Sequence, residues 1–218
     1  MSFLDVLSVI WSGFGVTAEV TLLSLAYGVP FALIFGILQF TTQGWCRHAA
    51  TIVIEFWRSS PVIILLFVFY YALPLAGLTL QAMSVAALVL GLNIGGYGSQ
   101  AVRAALQSLD RGQYEAGMAM GLTRIQTLML IELPQALKAM VPTFVNLLIQ
   151  LVKGTALVSL ITLADMTYKA KSVAQMTFDP ASAYMGLLLS YFIICYPLTI
   201  LGRSLERRLA VAKEGGHV

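Results

Sequence analysis

Apolar residues in this chain fall in blocks longer than a soluble core element needs, and the charges fall between the blocks. From Ser59 to Val102 there is no Asp, Glu, Lys or Arg. As one helix that stretch would run about 66 Å, roughly twice the hydrocarbon thickness of a bilayer. It therefore reads as two membrane spans, broken around Pro74, Gly77, Thr79 and Gln81. Along the whole chain the same pattern predicts five spans, at 16–40, 54–74, 83–102, 139–162 and 180–202. The expected fold class is all-α integral membrane, in a single transmembrane domain over 1–218. The first block does not read as a cleaved signal peptide, which opens on a basic region. This chain opens MSFLD, with an acid at Asp5.

Composition supports that reading. Hydrophobic residues make up 59% of the chain and charged residues 11%, against about 25% charged in a soluble domain. Lys and Arg set the orientation, because they collect in cytoplasmic segments. With the N-terminus outside, the inner segments hold Arg47, Arg103, Arg111, Arg124, Lys138, Arg203, Arg207, Arg208 and Lys213. The outer segments then hold Lys169 and Lys171, so N-out and C-in is the expected topology, in a bacterial inner membrane. The net charge of +3 is a topology signal. No basic cluster with interleaved aromatics points to nucleic acid. Cys46 and Cys195 read as unpaired apolar-type thiols.

One inner loop, 110–134, is helical in pattern but too charged to cross a membrane: Asp110, Arg111, Glu115, Arg124 and Glu132 are spread through it. Asp110 with Gln113, and Thr123 with Gln126, fit the capping box. Gly121 is placed to end a first short helix and Pro134 to interrupt a second. Ala116, Gly117 and Ala119 leave a bare face, while Ile125, Leu128, Met129 and Leu133 make an apolar stripe. From the pattern alone, a docking element and an amphipathic helix resting on lipid both stand.

A resemblance separates them. Glu115-Ala116-Gly117, then Gly121, then Ile131-Glu132-Leu133-Pro134 resembles the EAA motif of permease subunits of type I ABC importers, with every spacing kept and Gly117 where Ala is usual. Glu55-Phe56-Trp57-Arg58-Ser59-Ser60-Pro61 is similar to the E-F-x-R-G-T-P segment of the polar amino-acid subfamily. Lys153-Gly154-Thr155-Ala156-Leu157-Val158 stands where that subfamily often has K-D-T-S-L-V, with Ala164-Asp165-Met166-Thr167 following. The resemblance implies that Glu115, Ala116, Gly117, Gly121, Ile131, Leu133 and Pro134 form coupling helices seated in a groove of an ATPase subunit. It also implies two ATPase subunits, a second permease subunit identical or related to this one, an extracellular solute-binding protein and surrounding lipid. The implied transport is alternating access, inward-facing without ATP. ATP and Mg belong to the partner ATPase, and no cofactor is expected on this chain.

The chain has no G-x-x-x-x-G-K-[ST] phosphate loop. Its two histidines, His48 and His217, are far apart, and none lies in a span beside a nucleophile. An enzyme or a metal site therefore has little support. A secondary transporter acting without an ATPase would need inverted repeats and an ion relay. No repeat is visible, and five spans do not divide into equal halves.

Polar groups inside spans are the candidates for the cargo route: Glu19, Glu55, Arg58, Asn93, Gln100, Gln150 and Lys153. Arg58 suits a carboxylate and Asn93 part of a cationic nitrogen. Each has a structural alternative. Glu55 and Arg58 are spaced to neutralise each other, Asn93 to bond another helix, and Lys153 to snorkel. By resemblance, permeases for basic amino acids place acids at the positions of Leu147 and Gly154, which this chain lacks. Residues 146–165 are most similar to permeases of ectoine/hydroxyectoine importers, so a small zwitterion is expected, with amino acids or opines as the alternative.

Overall fold

The computed structural model describes residues 1–214, with side chains to Arg207. Arg208 and Lys213 therefore lie outside the described side chains, and His217 outside the described residues. Helix α1 (Phe3–Trp11) opens on a reciprocal capping box between Ser2 and Asp5, so the early acid is a helix starter. Then follow α2 (Phe14–Thr41), α3 (Gly44–Ser59), α4 (Val62–Phe67) and α5 (Ala82–Gln107). The chain continues through α6 (Arg111–Ala119), α7 (Arg124–Thr127), α8 (Leu133–Gly154), α9 (Met166–Thr177) and α10 (Pro180–Glu214). Four helical stretches are long and apolar enough to cross a membrane: Phe3–Thr41, Ala82–Gln107, Arg124–Ile161 and Pro180–Arg207. A pair bent by 94°, Gly44–Ser59 with Val62–Ala76, makes the fifth.

In lipid, apolar exclusion does not press helices together, so close backbone packing has to. The α2–α5 contact is built that way. Ser24, Gly28, Ala32 and Gly36 recur every fourth residue on α2, and Ala87, Gly91, Gly95 and Ser99 on α5. A Cβ on Gly91 would lie 2.5 Å from the Ser24 carbonyl oxygen, and one on Gly28 would lie 2.7 Å from that of Gly91. Gly36 meets Val102 in the same way, so the two helices run in the same direction. Helix α8 runs against α5, with Leu147 near Gly98 and Gly154 near Leu90. Alternating directions put α1 and α9 at one end of the bundle and the 110–134 loop at the other.

The second span departs from the sequence expectation of one helix over 54–74. It starts at Gly44 and breaks between Ser59 and Val62. Pro61 is the cause: it drives Ser60 to extended geometry (φ −78°, ψ 136°) and has no N–H to give the Trp57 carbonyl. Helix α5 supplies what is missing. Asn93 Nδ2 donates to Trp57 O at 2.8 Å, and Tyr97 OH donates to Arg58 O at 3.2 Å.

Two wider π turns, Val68–Ala72 and Leu128–Glu132, each end two residues before a proline, Pro74 and Pro134. The Leu73 and Leu133 amides reach back five residues, to Val68 and Leu128. The second therefore runs on into α8: Pro134 deforms a continuous helix where the sequence suggested a separate short one. The fourth span finishes as a 3₁₀ segment, Thr155–Ile161, and stops at Thr162 in the left-handed region (φ 68°). A β-branched residue is strained there. Hydrogen bonds from the first π turn surround it: Tyr70 Oη lies 3.1 Å from Thr162 Oγ1, and Tyr71 donates to Leu160 O at 3.3 Å.

Candidate functional site

The 110–134 loop folds as a helix, a sharp turn and a second helix. Asp110 caps α6 by accepting from Gly112 N at 2.7 Å. Gln113 does not complete a box there; its Oε1 accepts from Gln135 Nε2 at 3.1 Å, joining α6 to the root of α8. Gly121, at φ 80°, closes α6. The Leu122 amide returns to Gly117 O and the Gly121 amide to Met118 O, the two bonds of a Schellman cap. Thr123 and Gln126 form the full capping box of α7.

The spacing Glu115, Ala116, Gly117, Gly121 now has a physical meaning. Gly117 is buried, and a Cβ on it would lie 2.6 Å from Thr127 Cγ2. The small residue lets α6 lie on α7, and Thr127 accounts for glycine where alanine is usual. Glu115, Ala116 and Gly121 stay exposed, beside Met118, Met120 and Ile125, of which Ile125 is 69% exposed. Leu128, by contrast, is buried among Val102, Leu106, Ala136 and Met140. Ile131 and Leu133 are half-buried and Pro134 is exposed. A fixed inner face thus carries an apolar outer ledge with an acid at its edge.

The candidate cargo residues do not meet at one point. Arg58 pairs with Glu55 at 2.8 Å and Asn93 holds Trp57 O. Leu147 lies among Leu25, Gly28, Ala32, Ile94 and Phe144 between α2, α5 and α8. Gly154 has open room toward Leu90, whose Cδ2 would be 3.8 Å from an added Cβ. Lys153 faces the other way, into a groove of about 460 Å³ against α10 with Tyr191, Phe192, Cys195 and Tyr196. Among the described residues it makes no ion pair. Gln100 donates to Gln39 Oε1 at 3.0 Å and Gln39 to Thr51 Oγ1 at 2.8 Å, a polar tie between α2, α3 and α5.

Residues 7–211 match the model of the binding-protein-dependent transport system inner membrane component family. The chain belongs to that family. It is thus a membrane permease subunit, and ATP is hydrolysed by a separate partner. A probable amino-acid ABC transporter permease of Sinorhizobium fredii is 35% identical, over 100% of this chain and 93% of its own length. An L-cystine transport system permease of Bacillus subtilis is 32% identical, over 95% and 88%. The solved structure of an amino acid ABC transporter with histidines superimposes with a TM-score of 0.86 at 27% identity, over 95% of this chain and 99% of that one. The inward-facing MetNI methionine ABC transporter shares the fold, with a TM-score of 0.71 at 20% identity over 92% and 94%.

Sequence reasoning missed several working residues of this permease. Tyr97, Thr127 and the rows of small residues on α2 and α5 were not singled out, although a small residue at every fourth position is a readable signal. The sequence pattern marks Arg124 and Glu132 only as charges too costly for the bilayer. In the structure they form an ion pair with each other. Asp165 is fully buried between the spans, where it caps α9 by accepting from Thr167 N and Tyr168 N at 3.1 and 2.9 Å. Burial raises its pKa, and those two amides oppose the rise. Gly13 and Thr17 rest on this turn: a Cβ on Gly13 would lie 2.5 Å from the Asp165 carbonyl carbon.

Proposed function

We propose that this permease imports small zwitterions, polar amino acids or ectoine and hydroxyectoine, using ATPase work delivered at the 110–134 loop. The observation that carries this reading is the loop's two-sided build. Its inner face is locked to the spans by Gly117, Leu128 and Gln135, while Glu115, Ala116, Met118, Met120 and Ile125 are left bare at the bundle's end. Two ATPase subunits fit beneath such ledges, with a second permease subunit alongside and an extracellular binding protein at the α1–α9 end. The loop end carries Arg47, Arg103, Arg111 and Arg124, against Lys169 and Lys171 at the other, which supports N-out in the inner membrane.

Two observations bear on the cargo. The relatives' names favour amino acids. The absence of acids at Leu147 and Gly154 favours a cargo without net positive charge, which ectoine also satisfies. Arg58 is neutralised by Glu55, whereas Lys153 is unpaired among the described residues, so Lys153 is the better cation for a cargo carboxylate. The test is uptake of labelled ectoine and of labelled glutamine in cells with and without this subunit, each competed by unlabelled ectoine, hydroxyectoine, arginine, cystine and glutamate. Loss of ectoine uptake on deletion, competed by ectoines alone, supports the ectoine reading. Loss of amino-acid uptake alone replaces ectoine with an amino acid. No loss of either removes the zwitterion proposal.

Gly154→Asp is the cleaner site variant, because Gly154 has room for a side chain and Leu147 is enclosed by apolar groups. Lower uptake of a neutral zwitterion with wild-type membrane levels is expected. Unchanged uptake would remove Gly154 from the route.

A further inference from the structure

Arg124 is held in a way that docking alone does not require. Its guanidinium carbon lies 5.5 Å from the centre of the Phe40 ring, at the end of α2, and 4.9 Å from that of Tyr114, on α6. It also pairs with Glu132, which is 5% exposed. One planar cation therefore touches α2, α6 and the turn at the root of the fourth span. Arginine suits this place, because its plane stacks on aromatic faces while its edge N–H groups meet a carboxylate.

The π turn sets the pairing. Eight residues of regular helix rotate about 2.2 turns. The wider turn at Leu128–Glu132 takes up part of that excess and brings Glu132 to the face of Arg124. Beside them a cleft of about 350 Å³, lined by Phe40, Gln107, Asp110, Arg111 and Tyr114, separates α6 from the membrane helices. Arg124 bridges that gap.

We infer that Arg124 is the positioning residue that makes α6 and α2 move as one body when the ATPase displaces the loop. This rests on the coupling reading above. Helix α2 interlocks with α5 through backbone contacts at Gly28, Gly91 and Gly95. Motion handed to the end of α2 is therefore handed to the α2–α5 pair. Without the Arg124 bridge, α6 keeps its ties to the root of α8 but moves into the cleft without carrying the α2–α5 pair.

The experiment uses the assembled permease with its ATPase and binding protein, reconstituted in liposomes and supplied with labelled glutamine and, separately, labelled ectoine. Retained ATPase, ATP turnover and solute moved per ATP are measured together. The double variant Arg124→Gln/Glu132→Gln removes both charges, so no buried carboxylate is left unpaired. Phe40→Leu removes one ring face, and Phe40→Trp keeps one. Both the double variant and Phe40→Leu should keep the ATPase and its turnover while solute moved per ATP falls about tenfold, within the usual range of coupling between sites. Phe40→Trp should stay close to wild type. Loss of the ATPase from the double variant would overturn the inference, because the pair would then only shape the docking surface. Unchanged solute per ATP would overturn it too. A wild-type permease that retains no ATPase would instead defeat the coupling reading on which the inference stands.

Discussion

Gly117 and Thr127 show how one departure from a family pattern is balanced by a neighbour. The three atoms nearest to a methyl group at Gly117 all belong to the Thr127 side chain. Gly117→Ala should therefore destabilise the permease by about 1–3 kcal/mol, the usual range for overfilling a packed contact. Gly117→Ala with Thr127→Ala should recover most of it, and thermal unfolding in detergent checks both. Asp165 gives a pH prediction. Its folded pKa lies above the ordinary carboxylate value, so ionisation costs stability. That cost is absent below the ordinary value and complete above the raised one. The unfolding midpoint of Asp165→Asn relative to wild type should rise across that window, and a flat difference would contradict the assignment. The caps at Asp110, Thr123 and Gly121 were legible in sequence because each acts within a few residues, whereas the EAA spacing, spread over 115–134, was legible by resemblance. The Arg124 bridge was not, because Phe40 lies far away along the chain.

Element by element, the spans could be read from charge-free length, which the bilayer itself imposes. The break at Ser60 was harder to place, because Glu55, Arg58, Ser59 and Ser60 mark only its upstream side, while Val62–Phe67 is as apolar as a continuous span. Pro61 was the available signal, and its effect depends on Asn93 and Tyr97 taking the carbonyls it abandons. Asn93→Leu should leave Trp57 O unpaired and cost about 1–3 kcal/mol. It should also raise the mobility of α4, measured by hydrogen exchange at Val62–Phe67. Asn93→Gln, which keeps the donor, should cost less, and equal losses would argue against the cap. The α2–α5 contact makes a sharper claim. Gly91→Ala drives a methyl group against backbone, which cannot rotate away as a side chain can. It should lower the unfolding midpoint, whereas Gly15→Ala, with nothing within 4 Å, should not.

For the whole molecule, the parts form an asymmetric machine component. One end presents the exposed ledge of α6 and α7; the other is closed by α1, α9, the Asp165 cap and the strained turn at Thr162. Between them the α2–α5 pair forms a stiff body, with α8 packed against α5 and in turn against α10. The proposed coupling requires a separate ATPase to grip the exposed ledge. Gly121 is a poor place to test it, since its positive φ strains any replacement. Ala116 is exposed and helical, so Ala116→Glu changes the surface and leaves the fold alone. The deciding measurement is recovery of the ATPase with tagged permease from membranes, for wild type and for Ala116→Glu at matched permease levels. Wild type should retain the ATPase, and the variant should lose most of it. Equal retention by both would contradict the placement of the contact on this loop.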